Sequence, residues 1–313
     1  MIPSLKDVQA AVKRVSPYVH DTPVLTSTTV NRMLEASVFF KCENFQRMGA
    51  FKIRGATNAI LQLSEDERAR GVITHSSGNF AAALALAASS LDTKATIVMP
   101  SDAPQVKKEA VAGYGGFIVE CAPGLKNRES TMTAQQKKSG ATFIHPSNDL
   151  NVILGNSTAV MEMAVQVDTM DVVIAPVGGG GLIAGTALAT NHLNYYIETI
   201  GAEPFGADDA YLSLKTGKIQ PSINPKTIAD GLKTQLGDQN FPIIQKFVSK
   251  IIRVEESEII AAMRIIWERM KIIIEPSSAV AVAALFRNRS EFKKRKVGVI
   301  LSGGNADLDN LPF

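Results

Sequence analysis

Residues 171–182 have the sequence DVVIAPVGGGGL, which predicts a buried strand, a glycine turn and the start of a helix. The strand covers Asp171–Ala175, and we expect the helix to begin at Leu182. Four consecutive glycines allow unusual backbone angles and the close approach of a ligand. Such a turn presents a nest of amides to a phosphate at a helix N-terminus. The alternative is a purely structural turn made of Gly178, Gly179, Gly180 and Gly181.

Short β-branched runs alternate with helical stretches on both sides of this segment. Because strands that alternate with helices form parallel sheets with crossover helices, the chain is predicted to be α/β throughout. No repeat or low-complexity linker is present, so any second domain is expected to be inserted into the first. The predicted strands are 71–74, 95–99, 117–119, 197–202 and 297–301, and the predicted helices are 80–90, 104–113, 125–139, 257–270 and 276–286.

Composition and charge exclude several classes of protein. The chain has 33 basic and 30 acidic residues, a net charge of +3, and therefore lacks the basic field of a nucleic-acid-binding protein. Its apolar runs are far shorter than the roughly 18 residues that span a bilayer, so no membrane partner is expected. Two cysteines and a start without a secretory pattern indicate a cytoplasmic protein. Four scattered histidines give no zinc-binding spacing. A small-molecule partner fits this profile.

Lys52 is the candidate nucleophile, in the run Gly49-Ala50-Phe51-Lys52-Ile53-Arg54-Gly55-Ala56. Its apolar neighbours Phe51 and Ile53 are expected to draw the amine out of water. Desolvation lowers the pKa of a lysine, and the neutral amine condenses with a carbonyl. The alternative is a solvated lysine at the start of a helix.

Three further segments follow predicted strands and carry polar side chains. The segment His75-Ser76-Ser77-Gly78-Asn79 opens a helix and suits a carboxylate, although Ser and Asn are also ordinary helix caps. Ser302 follows the last strand and would lie at the same crevice, unless it belongs to a simple tight turn. The segment 203–209 clusters the oxygen ligands that a hard divalent cation needs, but acidic loops are also common without a metal.

Together these segments resemble the fold-type II pyridoxal-phosphate (PLP) enzymes, specifically the serine racemase and serine/threonine dehydratase branch. The resemblance implies an α/β fold of the tryptophan synthase β type, with two parallel-sheet domains that carry helices on both faces. A large PLP-binding domain would comprise 1–70 and 149–313, and a small mobile domain inserted in it would comprise 71–148. The matching motifs are 22–27, 39–43, 49–55, 74–79, 178–181, 202–209, 227–231, 267–270, 274–276 and 301–307.

The resemblance assigns roles to the cofactor residues. Lys52 would form a Schiff base with PLP, Phe51 would pack against the pyridine ring, and Asn79 would bond the ring hydroxyl. The four glycines would hold the phosphate, and the Ser302 hydroxyl would pair with the pyridine nitrogen. A neutral partner leaves this nitrogen largely unprotonated, which favours α-proton exchange and β-elimination over transamination.

The resemblance also implies partners beyond PLP. Glu203, Asp209 and the carbonyl of Ala207 match the family's site for Mg²⁺ or Mn²⁺, and their oxygen chemistry also suits Ca²⁺. Tyr114 and Asn305 match nucleotide-site positions. Ala82, by contrast, stands where animal racemases have a nucleotide-contacting glutamine, which leaves ATP open as an effector. Family members are commonly homodimers, and we expect the same here.

Ser77 bears on the type of reaction. Racemisation needs an acid/base group on each face of a planar carbanion, and Ser77 matches the second base of the racemases, opposite Lys52. We therefore expect a serine racemase with serine/threonine dehydratase activity. Some hydroxyaspartate dehydratases also keep this serine, so aspartate, 3-hydroxyaspartate or threonine stay open as substrates. The substrate carboxylate is expected to bind Ser76, Ser77, Gly78 and Asn79.

Several positions depart from the family pattern. Phe80 replaces the usual histidine, Ser147 replaces the asparagine of animal racemases, and 156–157 is Asn-Ser instead of Gln-Gly. Because phenylalanine donates no hydrogen bond, we expect weak serine binding or a substrate with compensating contacts, such as aspartate or 3-hydroxyaspartate near Arg128.

A more distant alternative comes from the glycine turn itself. Gly179-x-Gly181-x-x-Ala184 fits the loose dinucleotide-binding fingerprint, and Glu203 follows at about the right distance. Taken alone, this segment indicates an NAD-dependent oxidoreductase. Hydride transfer has no use for the Lys52 segment or for Ser302, which argues against that interpretation.

Overall fold

The computed structural model of the chain describes residues 2–194 and 196–313. Its larger sheet has six strands, in the spatial order β1 (Val24–Leu25), β2 (Ser37–Cys42), β10 (Lys296–Leu301), β7 (Val172–Pro176), β8 (Glu198–Pro204) and β9 (Lys250–Val254). The short β1 pairs antiparallel with β2, and the other neighbours are parallel. The strand predicted from the opening segment is thus β7, in the interior of the sheet.

A second sheet has four strands, all parallel, in the order β5 (Phe117–Cys121), β4 (Ala95–Pro100), β3 (Val72–His75) and β6 (Thr142–Phe143). All four lie within residues 71–148, the segment expected to be the inserted domain. The domain boundaries themselves stay a prediction.

Helices connect the strands and cover both sheets. In the described part of the chain they are α1 (Leu5–Val15), α2 (Thr28–Leu34), α3 (Lys52–Leu61), α4 (Glu65–Arg70), α5 (Asn79–Ser89), α6 (Gln105–Gly113), α7 (Leu125–Ser139), α8 (Leu150–Gln166), α9 (Gly181–Leu193), α10 (Asp209–Thr216), α11 (Phe241–Phe247), α12 (Glu256–Met270), α13 (Pro276–Arg287) and α14 (Arg289–Phe292).

The larger sheet is buried on both faces, which explains why its strands are continuously apolar and not alternating. In β7, Val172 and Ile174 face a core shared with α12 and α13, whereas Val173 and Ala175 face a core shared with α8 and α9. The smaller sheet is covered by α3 and α5 on one face and by α7 on the other. The predicted α/β fold with parallel sheets and helices on both faces is confirmed.

Helix α3 lies at the junction between the two sheets. It packs on α8 on one side, and its Ile53, Ala56 and Ile60 enter the core of the smaller sheet. The approach to α8 is close because Gly155 leaves no side chain at the crossing, where a Cβ would overlap the carbonyl of Arg54. The first residue of this junction helix is Lys52. In the described residues, no helix has the length and apolar character that crossing a membrane would require.

Candidate active site

Three neighbouring strands of the larger sheet end at one edge, where the predicted cofactor segments follow them. Strands β10, β7 and β8 are parallel neighbours. Ser302 after β10, the glycine loop (Gly178–Gly181) after β7 and Glu203 near the end of β8 therefore lie along the same edge. This is the edge at which open α/β sheets bind their ligands.

The glycine loop has the features of a phosphate cradle. Gly180 has a φ of +82°, in the left-handed region, and α9 begins at Gly181 without a side-chain cap. The N-terminal amides of α9 are thus left for a ligand. A Cβ at Gly179 would overlap the hydroxyl of Ser147, so a larger residue has no room here. The residues present fit a phosphate.

A turn at 145–148 joins the glycine loop to Lys52. The His145 Nδ1 accepts the N–H groups of Ser147 at 3.1 Å and Asn148 at 2.8 Å. Burial lowers the pKa of His145 to about 4, so the ring is neutral at pH 7 and its Nδ1 is free to accept. Inside this turn, the carbonyl of Pro146 accepts a hydrogen bond from the Lys52 Nζ at 3.2 Å.

The Lys52 amine lies close to two aromatic rings. Its Nζ is 4.9 Å from the ring centroid of Phe51 and 5.8 Å from that of Phe80. Burial lowers the pKa of Lys52 to about 8, although the negative charge of Glu275 opposes the shift. A sizeable neutral fraction is therefore present near pH 7.5, as the apolar sequence neighbours of Lys52 led us to expect.

Backbone contacts tie the Lys52 segment to Ser302. The N–H of Phe51 donates to the carbonyl of Ser302 at 3.0 Å, and Ala50 pairs with Gly303 as an antiparallel bridge. Ser302 is buried. Two segments 250 residues apart in sequence are thus joined beside the glycine loop.

The Asn79 side chain links the start of α5, on the smaller sheet, to Glu275 and Asn305, next to the larger sheet. Its side-chain Nδ2 donates to both carboxylate oxygens of Glu275, at 3.0 and 3.1 Å, and its Oδ1 accepts from the Nδ2 of Asn305 at 2.9 Å. Burial raises the pKa of Glu275 to about 7, and the hydrogen bond from Asn79 partly offsets this effect.

The residues before Asn79 form the loop that the sequence predicts to bind the substrate carboxylate. Ser76 and Ser77 are half-buried, and Gly78 is the uncapped N-cap residue of α5. The N–H of Gly78 donates weakly to the hydroxyl of Ser76 at 3.4 Å. Phe80, the next residue after Asn79, is 2% exposed and packs into the core of the smaller sheet, with its ring towards Lys52.

Arg128 lies on α7, apart from this cluster. It is half-buried, and its positive charge adds to burial in lowering the pKa of His75, which directly precedes Ser76. Among the contacts described for this structure, none joins the Arg128 side chain to Ser76 or Ser77. The positive charge of Arg128 thus lies near the loop, but its side chain makes no described contact with Ser76 or Ser77.

The predicted cation ligands lie where β8 meets α10. Glu203 is fully buried, and its oxygens accept the N–H groups of Ala210 at 3.0 Å and Tyr211 at 2.8 Å. Burial and the neighbouring charge of Asp209 raise the pKa of Glu203.

Asp209 provides the test of whether a cation fits. Both of its carboxylate oxygens are buried and make no hydrogen bond of good geometry among the described residues, and burial raises the pKa of Asp209 to about 6, although the nearby Ser222 hydroxyl opposes this shift. Burying an unpaired carboxylate is costly, and a cation removes that cost. The described residues hold no cluster of three or more His, Cys, Asp or Glu side chains suited to a metal, so a cation here depends on carbonyl and water ligands as well.

Sequence reasoning missed two residues that shape the site. Glu275 entered only as part of a family motif, and nothing local indicated that its carboxylate would face Asn79 from 196 residues away. His145 was taken as a scattered histidine, but its ring nitrogen organises the turn at 145–148. The available signal was its place two residues after the β6 strand and directly before Pro146.

Comparison with known proteins identifies the family of this chain. The family model described as "Pyridoxal-phosphate dependent enzyme" matches residues 15–303. A β-hydroxyaspartate dehydratase from Paracoccus denitrificans is 46% identical over 100% of this chain and 99% of its own length. A serine racemase from Dictyostelium discoideum is 47% identical over 98% of this chain and 96% of its own length.

The crystal structure of serine racemase from Dictyostelium discoideum has the same fold. It superposes with a TM-score of 0.95 at 46% identity, and the match covers 98% of this chain and 100% of that one. These relatives thus differ in the substrate for which they are named: β-hydroxyaspartate in one case and serine in the other.

Proposed function

This chain belongs to the family of pyridoxal-phosphate dependent enzymes, and from that premise we propose that it is a serine racemase with serine/threonine dehydratase activity. The observation that carries the proposal is the Lys52 amine, which lies close to the rings of Phe51 and Phe80, the latter three residues after Ser77. The Lys52 amine would supply a base at neutral pH, and the Ser77 hydroxyl would supply the second acid/base group.

PLP, when bound, withdraws electrons from the α-carbon of an amino acid and so acidifies its α-proton. Lys52 would hold PLP covalently, the glycine loop would hold its phosphate, and Ser302 would pair with its ring nitrogen. Asn79, oriented by Glu275, would meet the ring hydroxyl. The amides and hydroxyls of Ser76, Ser77 and Gly78 would bind the substrate carboxylate at the N-terminus of α5.

Lys52 and Ser77 would each carry one of the two proton transfers, on opposite faces of the substrate. The Lys52 amine removes the α-proton from one face of the substrate, and the Ser77 hydroxyl returns a proton to the other face, which inverts the centre. If the β-hydroxyl leaves instead, it takes up a proton and departs as water, and the released enamine is then hydrolysed by water to a keto acid and ammonia.

A second candidate activity is the dehydration of 3-hydroxyaspartate. The observation in its favour is the positive charge of Arg128 near the loop, which suits a second carboxylate, and a relative of nearly equal identity is named for that substrate. If this candidate is right, Arg128→Gln raises the KM for 3-hydroxyaspartate more than tenfold and leaves the KM for L-serine within about twofold.

The remaining parts of the proposal concern metal and assembly. Glu203, Asp209 and the Ala207 carbonyl hold Mg²⁺, or else Mn²⁺ or Ca²⁺, and the unpaired oxygens of Asp209 support this assignment. Residues 71–148 form a mobile domain that closes on the substrate, and the enzyme is a homodimer.

The experiment is an amino-acid panel on the purified protein loaded with PLP. L-serine, D-serine, L-threonine, L-aspartate and the 3-hydroxyaspartate isomers are each assayed for chiral inversion and for keto-acid release. The proposal predicts inversion of serine together with pyruvate formation. Keto acid from 3-hydroxyaspartate with no inversion of serine would establish the second candidate instead.

A further inference from the structure

We propose that the Phe80 ring keeps the Lys52 amine uncharged whenever that amine acts on the α-carbon of the substrate. The inference rests on the proposed function, and it assigns Phe80 as a positioning residue that acts through Lys52. It concerns how the base is prepared, and not how the substrate carboxylate is captured.

The geometry around the amine is the first support. The Lys52 Nζ is 4.9 Å from the ring centroid of Phe51, within its own segment, and 5.8 Å from that of Phe80 on α5. The hydrogen bond described for this amine goes to the carbonyl of Pro146, which can accept from a neutral amine, although an ammonium ion would form the stronger bond. The two rings therefore occupy part of the space in which water would otherwise solvate an ammonium ion.

The second support is the rigidity of Phe80. The ring is 2% exposed and is packed among the apolar side chains of the smaller sheet and of α3, so it has no room to withdraw and admit water. A ring face attracts a cation, but it accepts no strong hydrogen bond, and for the half-buried Lys52 side chain the loss of hydration outweighs this attraction. The pKa of Lys52, lowered by burial to about 8, agrees with that balance.

Other ionisable groups near the amine do not explain its neutral form. Glu275 carries a negative charge when ionised and favours the ammonium, which is the opposite effect. His145 is neutral at pH 7 because burial lowers its pKa to about 4. Both groups stay in place when Phe80 is replaced, so their contributions are common to every variant compared.

The consequence for catalysis is large. An amine with a pKa of about 8 has a neutral fraction at pH 7.5 on the order of 200-fold greater than an amine with the ordinary pKa. The share that we assign to the Phe80 ring, about one pH unit, corresponds to a neutral fraction roughly eightfold greater at pH 7.5.

The test measures the Lys52 amine directly in the cofactor-free full-length protein. Competitive labelling with acetic anhydride across pH, followed by mass spectrometry of the Lys52 peptide, gives the midpoint of its titration, with the exposed Lys215 as internal reference. Phe80→His and Phe80→Gln each place a hydrogen-bond acceptor beside the amine. Phe80→Met keeps the site apolar and is the matched control.

We expect a midpoint near 8 in the parent, an upward shift of about one pH unit in Phe80→His and Phe80→Gln, and no upward shift in Phe80→Met. In the PLP-loaded enzyme, the acid limb of kcat for α-proton exchange in D₂O should move with the labelling midpoint, while KM changes little.

Equal midpoints in the parent and both polar variants would overturn the inference, and so would an equal upward shift in Phe80→Met. If only one polar variant folds, that variant carries the test. The labelling needs no turnover, so a shifted midpoint in a protein that neither binds PLP at Lys52 nor turns over amino acids would support the effect of the ring on the amine and refute the proposed function.

Discussion

The Asn79 side chain donates to both carboxylate oxygens of Glu275, at 3.0 and 3.1 Å, and so joins the first turn of α5 to the start of α13. Asn79 begins α5, which follows β3 and packs on the smaller sheet, whereas Glu275 precedes α13, which covers the larger one. This bond fixes the amide that the cofactor ring is proposed to meet.

Glu275→Ala should therefore weaken PLP binding about tenfold, because it removes the acceptor that orients Asn79 and leaves a buried amide group unpaired. Glu275→Gln keeps an acceptor oxygen in the same position and should lose less than threefold. Titration of the apoprotein with PLP, followed by absorbance, measures both. Parent-like affinity in Glu275→Ala would show that the bond does not position Asn79 for the cofactor.

Ser77→Ala should separate the two activities. Removing the hydroxyl deletes the proton donor for the second face, so racemisation of L-serine should fall at least a hundredfold. Dehydration of L-serine needs the Lys52 face and should keep a tenth or more of its rate. Chiral chromatography and pyruvate release, measured on the same samples, give the ratio. If both activities fall by the same factor with PLP still bound, Ser77 only positions the substrate.

Asp209 and Asp208 provide a matched pair for the cation. The Asp209 oxygens are unpartnered within the described residues, whereas Asp208 forms an ion pair with Arg253 at 2.7 Å. Mg²⁺ should raise the Tm of the parent and of Asp208→Asn, but not that of Asp209→Ala. Differential scanning fluorimetry with and without chelator measures this shift. A Mg²⁺ shift that survives in Asp209→Ala would place the ion elsewhere.

His145 should contribute to acid sensitivity. Its pKa is about 4 in the folded protein, below the ordinary value near 6.5, so the unfolded chain binds a proton that the folded chain excludes. Stability is therefore unaffected above pH 6.5 and is lost as the pH falls from 6.5 to 4, by about 2 kcal/mol at pH 4.5.

His145→Asn offers its Oδ1 to the amides of the turn at 145–148 but does not titrate. Urea unfolding at pH 7.5 and 4.5 should show that the variant loses about 2 kcal/mol less than the parent between these pH values. Equal losses in the two proteins would mean that the ring of His145 is protonated without cost in the fold.

The fold was predictable from the sequence because its evidence is local. A continuous apolar run such as 172–175 followed by glycines already indicates a buried parallel strand and a phosphate-binding turn. The junction position of α3 was not predictable, since it depends on the crossing of Gly155 with Arg54, two residues about 100 positions apart.

The same limit applies to the site. The desolvation of Lys52 could be read from its neighbours in sequence, but the second ring beside its amine, Phe80, comes from another helix. Sequence reasoning treated Phe80 as a missing hydrogen-bond donor to the substrate. The structure gives its ring a buried position towards Lys52, which periodicity alone does not reveal.

Reduction of the PLP-loaded protein with borohydride, followed by peptide mapping, tests the assignment of Lys52 directly. We expect a yellow protein and a single phosphopyridoxyl group on Lys52. Lys41 is the internal control, because its buried amine is held by Glu162 at 2.5 Å and is unavailable as a nucleophile. A colourless protein without adduct after incubation with PLP, or an adduct on another lysine, would contradict the central claim.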